Sequence, residues 1–148
     1  MINYFHYTPI NTPNANKKEA IIDFLYTNLE NYGDPKEDIG KCIEYALKET
    51  NSFGGFILTA EEDNRIVGCL VINETGMKDY IPENILVYVA TRKDFRGLGI
   101  GRTLIAQVIE KTNGNIALHV DPDNPAIKLY EKVGFTTKYH EMRLIKNR

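Results

Sequence analysis

The stretch Thr91-Arg-Lys-Asp-Phe-Arg-Gly-Leu-Gly-Ile-Gly-Arg-Thr103 constrains this chain more than any other. Ahead of it lies Ile85-Leu-Val-Tyr-Val-Ala90, an apolar run rich in β-branched residues that reads as a buried strand. Behind it, Leu104, Ile105 and Val108, with Ile109 beside them, form the apolar stripe of an amphipathic helix. Gly97, Gly99 and Gly101 fall where strand gives way to helix. The first N–H groups of a helix have no internal partner, and glycines let a ligand come close to them. Free donors at the positive end of a helix dipole attract an anion, most often a phosphate. The stretch reads as a phosphate cradle.

Two familiar cradles do not fit. A P-loop requires Gly-Lys followed by Ser or Thr, and this chain has Gly101-Arg102-Thr103. A dinucleotide fingerprint requires a third glycine at position 102, which is Arg, although Asp121 lies about where its ribose-binding acid would be.

At 148 residues the chain is expected to form one domain, residues 1–148, with a sizeable core. Its longest apolar run is the six residues 85–90, too short to span a bilayer, so no membrane partner is expected. The N-terminus Met1-Ile-Asn-Tyr-Phe-His-Tyr lacks the pattern of a signal peptide. Cys42 falls in an expected helix and Cys69 in an expected strand, which reads as two buried thiols and a cytoplasmic protein. Residues 1–90 hold seven Lys/Arg against fourteen Asp/Glu, a balance of −7. Residues 91–148 hold eleven against six, a balance of +5. The half with the cradle is therefore basic, as an anionic ligand prefers, and the overall balance of −2 argues against nucleic acid as a partner.

In chain order, residues 2–8 read as a strand ended by Pro9 and Pro13. Asn14 or Asn16 caps a helix running to about Asn31, and after Tyr32-Gly-Asp-Pro35 a second helix runs to Thr50. Strands Gly55–Ala60 and Ile66–Ile72 form a hairpin across Glu61-Glu-Asp-Asn64. The glycine-loop helix covers 101–112, followed by Asn113-Gly-Asn115, a strand over Ile116–Val120, a short helix over Pro125–Val133 and strand material over Phe135–Ile145. The fold class is α/β: a mixed, mainly antiparallel sheet flanked by helices.

Arg96-x-x-Gly99-x-Gly101 resembles the Arg/Gln-x-x-Gly-x-Gly/Ala signature of the GNAT superfamily of N-acetyltransferases. Asn124-Pro-Ala-Ile-Lys-Leu-Tyr130-Glu-Lys-Val-Gly-Phe135 resembles that family's second characteristic stretch, in the expected order and spacing. The resemblance implies the GNAT-like acyl-CoA N-acyltransferase fold, acetyl-CoA as co-substrate, no metal, and attack of a primary amine directly on the thioester. It implies that the pantetheine arm lies along Val89, Ala90 and Thr91, with the N–H of Val89 facing the thioester oxygen. The pyrophosphate falls to the backbone of Gly97, Leu98, Gly99, Ile100, Gly101 and Arg102, with Arg96 either contacting it or solvated. Tyr130 becomes the general acid that protonates the departing thiolate, and a phenol with a pKa near 10 suits that role. Asn124 contacts the coenzyme or braces the helix start. Many members have one more residue before the Ala, so Asp123 is the alternative.

The general base is less defined. The strand position that carries Glu or Tyr in some members is Ile85 here. His119, in Leu118-His-Val120, matches a histidine that acts through water in certain members, and its ordinary pKa suits the task. Tyr88, Glu83 and bulk water are the other options. The acidic segment Glu30, Asp34, Glu37 and Asp38 lies where the family often binds its acceptor, a small-molecule or peptide amine. Two alternatives stand beside the enzyme: a catalytically weak CoA-binding sensor or scaffold, and a homodimer joined through the C-terminal strand.

Overall fold

The computed structural model describes residues 1–147. Five strands form one sheet whose spatial order follows the chain: β1 (Asn3–Tyr7), β2 (Gly55–Glu62), β3 (Arg65–Glu74), β4 (Asn84–Thr91) and β5 (Ile116–Ala117). The first four are antiparallel, and β5 joins β4 in parallel. Helices α1 (Ala15–Asn28) and α2 (Lys36–Ala46) connect β1 to β2. Helix α3 (Ile100–Lys111) connects β4 to β5, and α4 (Ile127–Lys132) follows.

Local chemistry accounts for the boundaries. The Asn14 side chain accepts the N–H of Lys17 at 2.7 Å and so starts α1. Both expected helices stop earlier than their apolar stripes suggest, at Asn28 and Ala46, because Glu30 and Lys48 take left-handed backbones (φ 55° and 57°). Asp63 and Asn64 also have positive φ (53° and 63°), the two-residue turn that suits a twisted hairpin between β2 and β3.

The sheet is covered on both faces. Ile21, Leu25, Ile39 and Ile43 from α1 and α2 pack on Ile57 and Val71. Leu104, Ile105 and Val108 from α3 pack on Leu58, Leu70 and Ile72. Cys42 and Cys69 are buried as free thiols in the first layer, and burial pushes the Cys42 thiol up to about 12. Against β3, the register of β4 slips: Val71 faces Tyr88, yet Ile72 faces Leu86. Val87 is the extra residue of this bulge, and both Val87 and Tyr88 turn toward α1 and α2.

Two expected strands are corrected. The one over 116–120 is a strand only at Ile116 and Ala117, because β4 and β5 share just two residue pairs before they part. Residues 135–145 form no strand: Tyr139, Met142, Leu144 and Ile145 are exposed and have no ladder partner. Composition can make a segment compatible with a strand, but a strand requires a neighbour to pair with, and the two residues of β5 offer almost none.

Candidate active site

Beyond Thr91 the chain makes one turn of 3-10 helix over Lys93–Phe95 and enters the glycine loop. Arg96 N–H still donates, to the Lys93 carbonyl at 3.3 Å, and donation resumes at Thr103, to Gly99 at 3.0 Å. Between them, among the described residues, the six N–H groups of Gly97 through Arg102 donate to no protein acceptor. Gly97 and Gly99 have φ of 80° and 82°, and a Cβ at either would meet nothing within 4 Å. Glycine is needed there for its backbone, not for space. Gly101 is different: a Cβ would come within 3.2 Å of Leu129 on α4. Glycine at this position lets α4 pack against the first turn of α3.

Strand β4 is open along part of one edge. Arg92 N–H donates to Val67 on β3 at 2.8 Å. Polar groups alternate along a strand, so Ala90 and Tyr88 also direct theirs to β3, while Thr91 and Val89 direct theirs away. On that side β5 has already diverged, and no strand among the described residues pairs with Val89 or Thr91. Val89 therefore leaves both of its polar groups free and Thr91 only its N–H, because the Thr91 carbonyl accepts from the Arg96 guanidinium. Ala90 departs from its expected role: its polar groups face β3 and its side chain packs in the α1/α2 layer. Six free donors at a helix N-terminus beside the free groups of Val89 and the free N–H of Thr91 suit a phosphate-bearing ligand with peptide-like amides.

The match to known proteins agrees with this geometry. Residues 19–135 match the model of the Acetyltransferase (GNAT) family. The chain belongs to the GNAT family. It is 31% identical over 84 residues to the 5-NmdU N-acetyltransferase of Pseudomonas phage PaMx11, a match covering 55% of this chain and 58% of that relative. Its fold matches that of an aminoglycoside acetyltransferase, HMB0005, from an uncultured soil metagenomic sample (TM-score 0.70, 22% identity, 99% of both chains). It also matches the ribosomal-protein-alanine N-acetyltransferase of Brucella melitensis biovar Abortus 2308 (TM-score 0.67, 13% identity, 99% of this chain and 100% of that one). At these identities the solved structures show the fold alone.

In this GNAT domain Tyr130 lies on α4 within the α3-side core, its ring edge-on to Phe135 at 5.9 Å. Its hydroxyl has no protein hydrogen bond among the described residues, and burial pushes its pKa up to about 12. The phenol stays protonated across the physiological range. Asn124 braces the start of α4: its side chain accepts the Ala126 N–H at 2.9 Å. His119 is exposed, between Leu118 and Val120, which pack toward α3. Two residues further on, the 121–124 loop meets the α1–α2 connection, where the Tyr32 hydroxyl donates to the Asp123 carbonyl at 3.3 Å.

Three expected site residues have other partners. The Arg96 guanidinium donates to Glu30 at 2.9 Å, to Thr91 O at 3.2 Å and to Asn28 O at 3.4 Å. It ties the end of α1 to the end of β4. Glu83 accepts the Asn115 N–H at 3.0 Å, and such bonds hold its carboxyl below the usual range, which weakens it as a base. The Tyr88 hydroxyl donates to Asp34 at 2.5 Å; burial, then that bond, push its pKa up and keep it protonated. The Tyr88–Asp34 contact was not legible in the sequence, because it joins residues 54 positions apart and depends on the β4 bulge.

Proposed function

We propose that this chain transfers the acetyl group of acetyl-CoA to a primary amine by direct attack. The observation that carries the reading is the run of six free N–H groups, Gly97 to Arg102, beside the open edge at Val89 and Thr91. Those N–H groups would hold the pyrophosphate, and Val89 and Thr91 the pantetheine arm. When bound, acetyl-CoA supplies an acetyl group activated as a thioester. The N–H of Val89 would stabilise negative charge on the carbonyl oxygen, a kind of contact whose removal elsewhere costs roughly 2.7–4 kcal/mol of barrier. Tyr130 Oη, protonated at neutral pH, would give its proton to the departing sulfur. His119, open to solvent, would receive the proton lost by the amine.

The amine is open across classes that the relatives' names suggest: a modified nucleoside, an aminoglycoside or a peptide N-terminus. The test is release of free CoA thiol from acetyl-CoA with 5-NmdU, an aminoglycoside, spermidine, a lysine peptide and a peptide with N-terminal alanine. Wild type is expected to turn over one class. Tyr130→Phe is expected to lower kcat at least tenfold with acceptor KM unchanged. Full turnover in Tyr130→Phe would remove it as the acid. No turnover with any amine would overturn the reading.

A further inference from the structure

Helix α4 is six residues long, too short to hold its shape by internal bonds alone, so its cap governs how its side chains stand. The cap is a Schellman motif. Beyond the C-cap residue Val133, the Gly134 N–H donates to the Glu131 carbonyl at 3.1 Å. The Phe135 N–H donates to the Tyr130 carbonyl at 3.0 Å. Two carbonyls of the last turn are thereby satisfied. Gly134 has φ 112°, and a Cβ there would meet nothing within 4 Å, so the turn and not the space requires glycine.

Such a cap folds a side chain back onto the helix. The residue two past the C-cap often makes an apolar contact with the one three before it, and here those two are Phe135 and Tyr130. Their rings stand 5.9 Å apart at 66°, the edge-on arrangement that aromatic pairs favour. Both pack in the α3-side core, Phe135 half-buried and Tyr130 buried. Nothing polar fixes the far end of the tyrosine, because its hydroxyl has no protein hydrogen bond among the described residues. Tyr88 is the contrast: its hydroxyl is pinned to Asp34. For Tyr130, ring packing alone sets where Oη lies, and Oη moves furthest when the ring tilts. A misplacement of about 1 Å can cost about a hundredfold in rate.

We propose that Phe135 is a positioning residue for acetyl transfer: folded back by the turn at Gly134, its ring sets the tilt of the Tyr130 ring and so aims Oη at the departing sulfur. The contact of Gly101 with Leu129 places the helix, and the Phe135 ring orients the phenol on it. The inference rests on Tyr130 as the acid and adds the group that aims it.

The experiment uses the full chain, acetyl-CoA and whichever amine of the panel above wild type turns over best, well below each variant's melting temperature. Phe135→Leu keeps an apolar side chain and removes the ring. It is expected to lower kcat about threefold to tenfold, with acceptor KM and the affinity for CoA by calorimetry within twofold of wild type. Phe135→Tyr keeps the ring and should hold kcat within twofold. In the Tyr130→Phe background, with no proton left to aim, Phe135→Leu should leave the residual kcat within twofold. A phenylalanine that only held the fold would lower kcat equally in both backgrounds. Should Phe135→Leu fail to fold, Phe135→Met supports the same comparison. Wild-type kcat in the ringless variant, or an equal loss in both backgrounds, overturns the inference and leaves Tyr130 as the acid. Full turnover in Tyr130→Phe overturns the acid assignment and this inference with it, and absence of turnover in wild type overturns acetyl transfer as well.

Discussion

The Arg96 guanidinium lies 2.9 Å from Glu30, which is 66 residues back along the chain and sits in a left-handed turn (φ 55°). That contact joins the glycine loop to the α1–α2 connection. An arginine at the C-terminal end of α1 also meets the negative end of that helix's dipole, and it bonds to the Asn28 carbonyl there. Its role in the structure is that of a tether.

Arg96→Ala tests the tether. Both partners are about half exposed, so the pair contributes only about 0.2–1 kcal/mol. The melting temperature is expected to fall by a few degrees at most, read by calorimetry. Acetyl-CoA affinity is expected to fall less than tenfold, because the free N–H groups would hold the anion without the side chain. A hundredfold loss would instead place the guanidinium on the coenzyme.

Gly99→Ala should do the reverse. An alanine at φ 82° carries roughly 1–2 kcal/mol of strain, relieved only by moving the loop. Acetyl-CoA affinity, measured by titration calorimetry, should drop more than tenfold, and more than in Arg96→Ala. Equal losses in the two variants would contradict the backbone cradle.

Gly101→Ala probes how α4 is placed. Its methyl would press on Leu129, one residue from Tyr130, at 3.2 Å. The expected result is a fall in kcat of several-fold with acetyl-CoA affinity largely kept. Adding Leu129→Ala should restore part of kcat by making room, although the lost core contact lowers the melting temperature. Steady-state kinetics on the single and double variants would check this.

Alkaline pH should unfold the protein in a defined window. Burial raises Cys42 from 9.0 to about 12 and Tyr130 from 10.0 to about 12. The folded state therefore holds these protons more tightly than the unfolded chain. The associated stability is fully present below about pH 9 and is lost as pH climbs toward 12. A melting temperature that is flat from neutral pH to about 9 and falls beyond it is expected, with a shallower fall in Cys42→Ala. A decline in catalysis well below pH 10 would have to come from a group other than Tyr130.

The sequence made the cradle legible because glycine spacing and helix polarity are local properties. Gly97, Gly99 and Gly101 lie within five residues, and their conformations follow from the turn they form. The β2–β3 hairpin was legible for the same reason. What could not be read depends on partners distant in sequence. His119 falls on the expected segment, yet the segment leaves the sheet after Ala117, because β4 and β5 part. Residues 135–145 read as strand material, yet they pair with no strand among the described residues. Asp34 looked like one acid among four; only the fold shows that Lys41 and Arg96 attend to the others.

The parting of β4 from β5 has a cost outside catalysis. An open strand edge is a template on which another chain can add, and soluble proteins usually blunt such edges with charge, proline or a covering segment. Here the Arg96 side chain covers only the Thr91 carbonyl, and under the proposed function Val89 and the Thr91 N–H would have to stay bare to receive the coenzyme. Whatever fills the slot therefore also shields an adhesive edge from other chains. Solubility in the cell and turnover at the site would then depend on the same stretch of backbone.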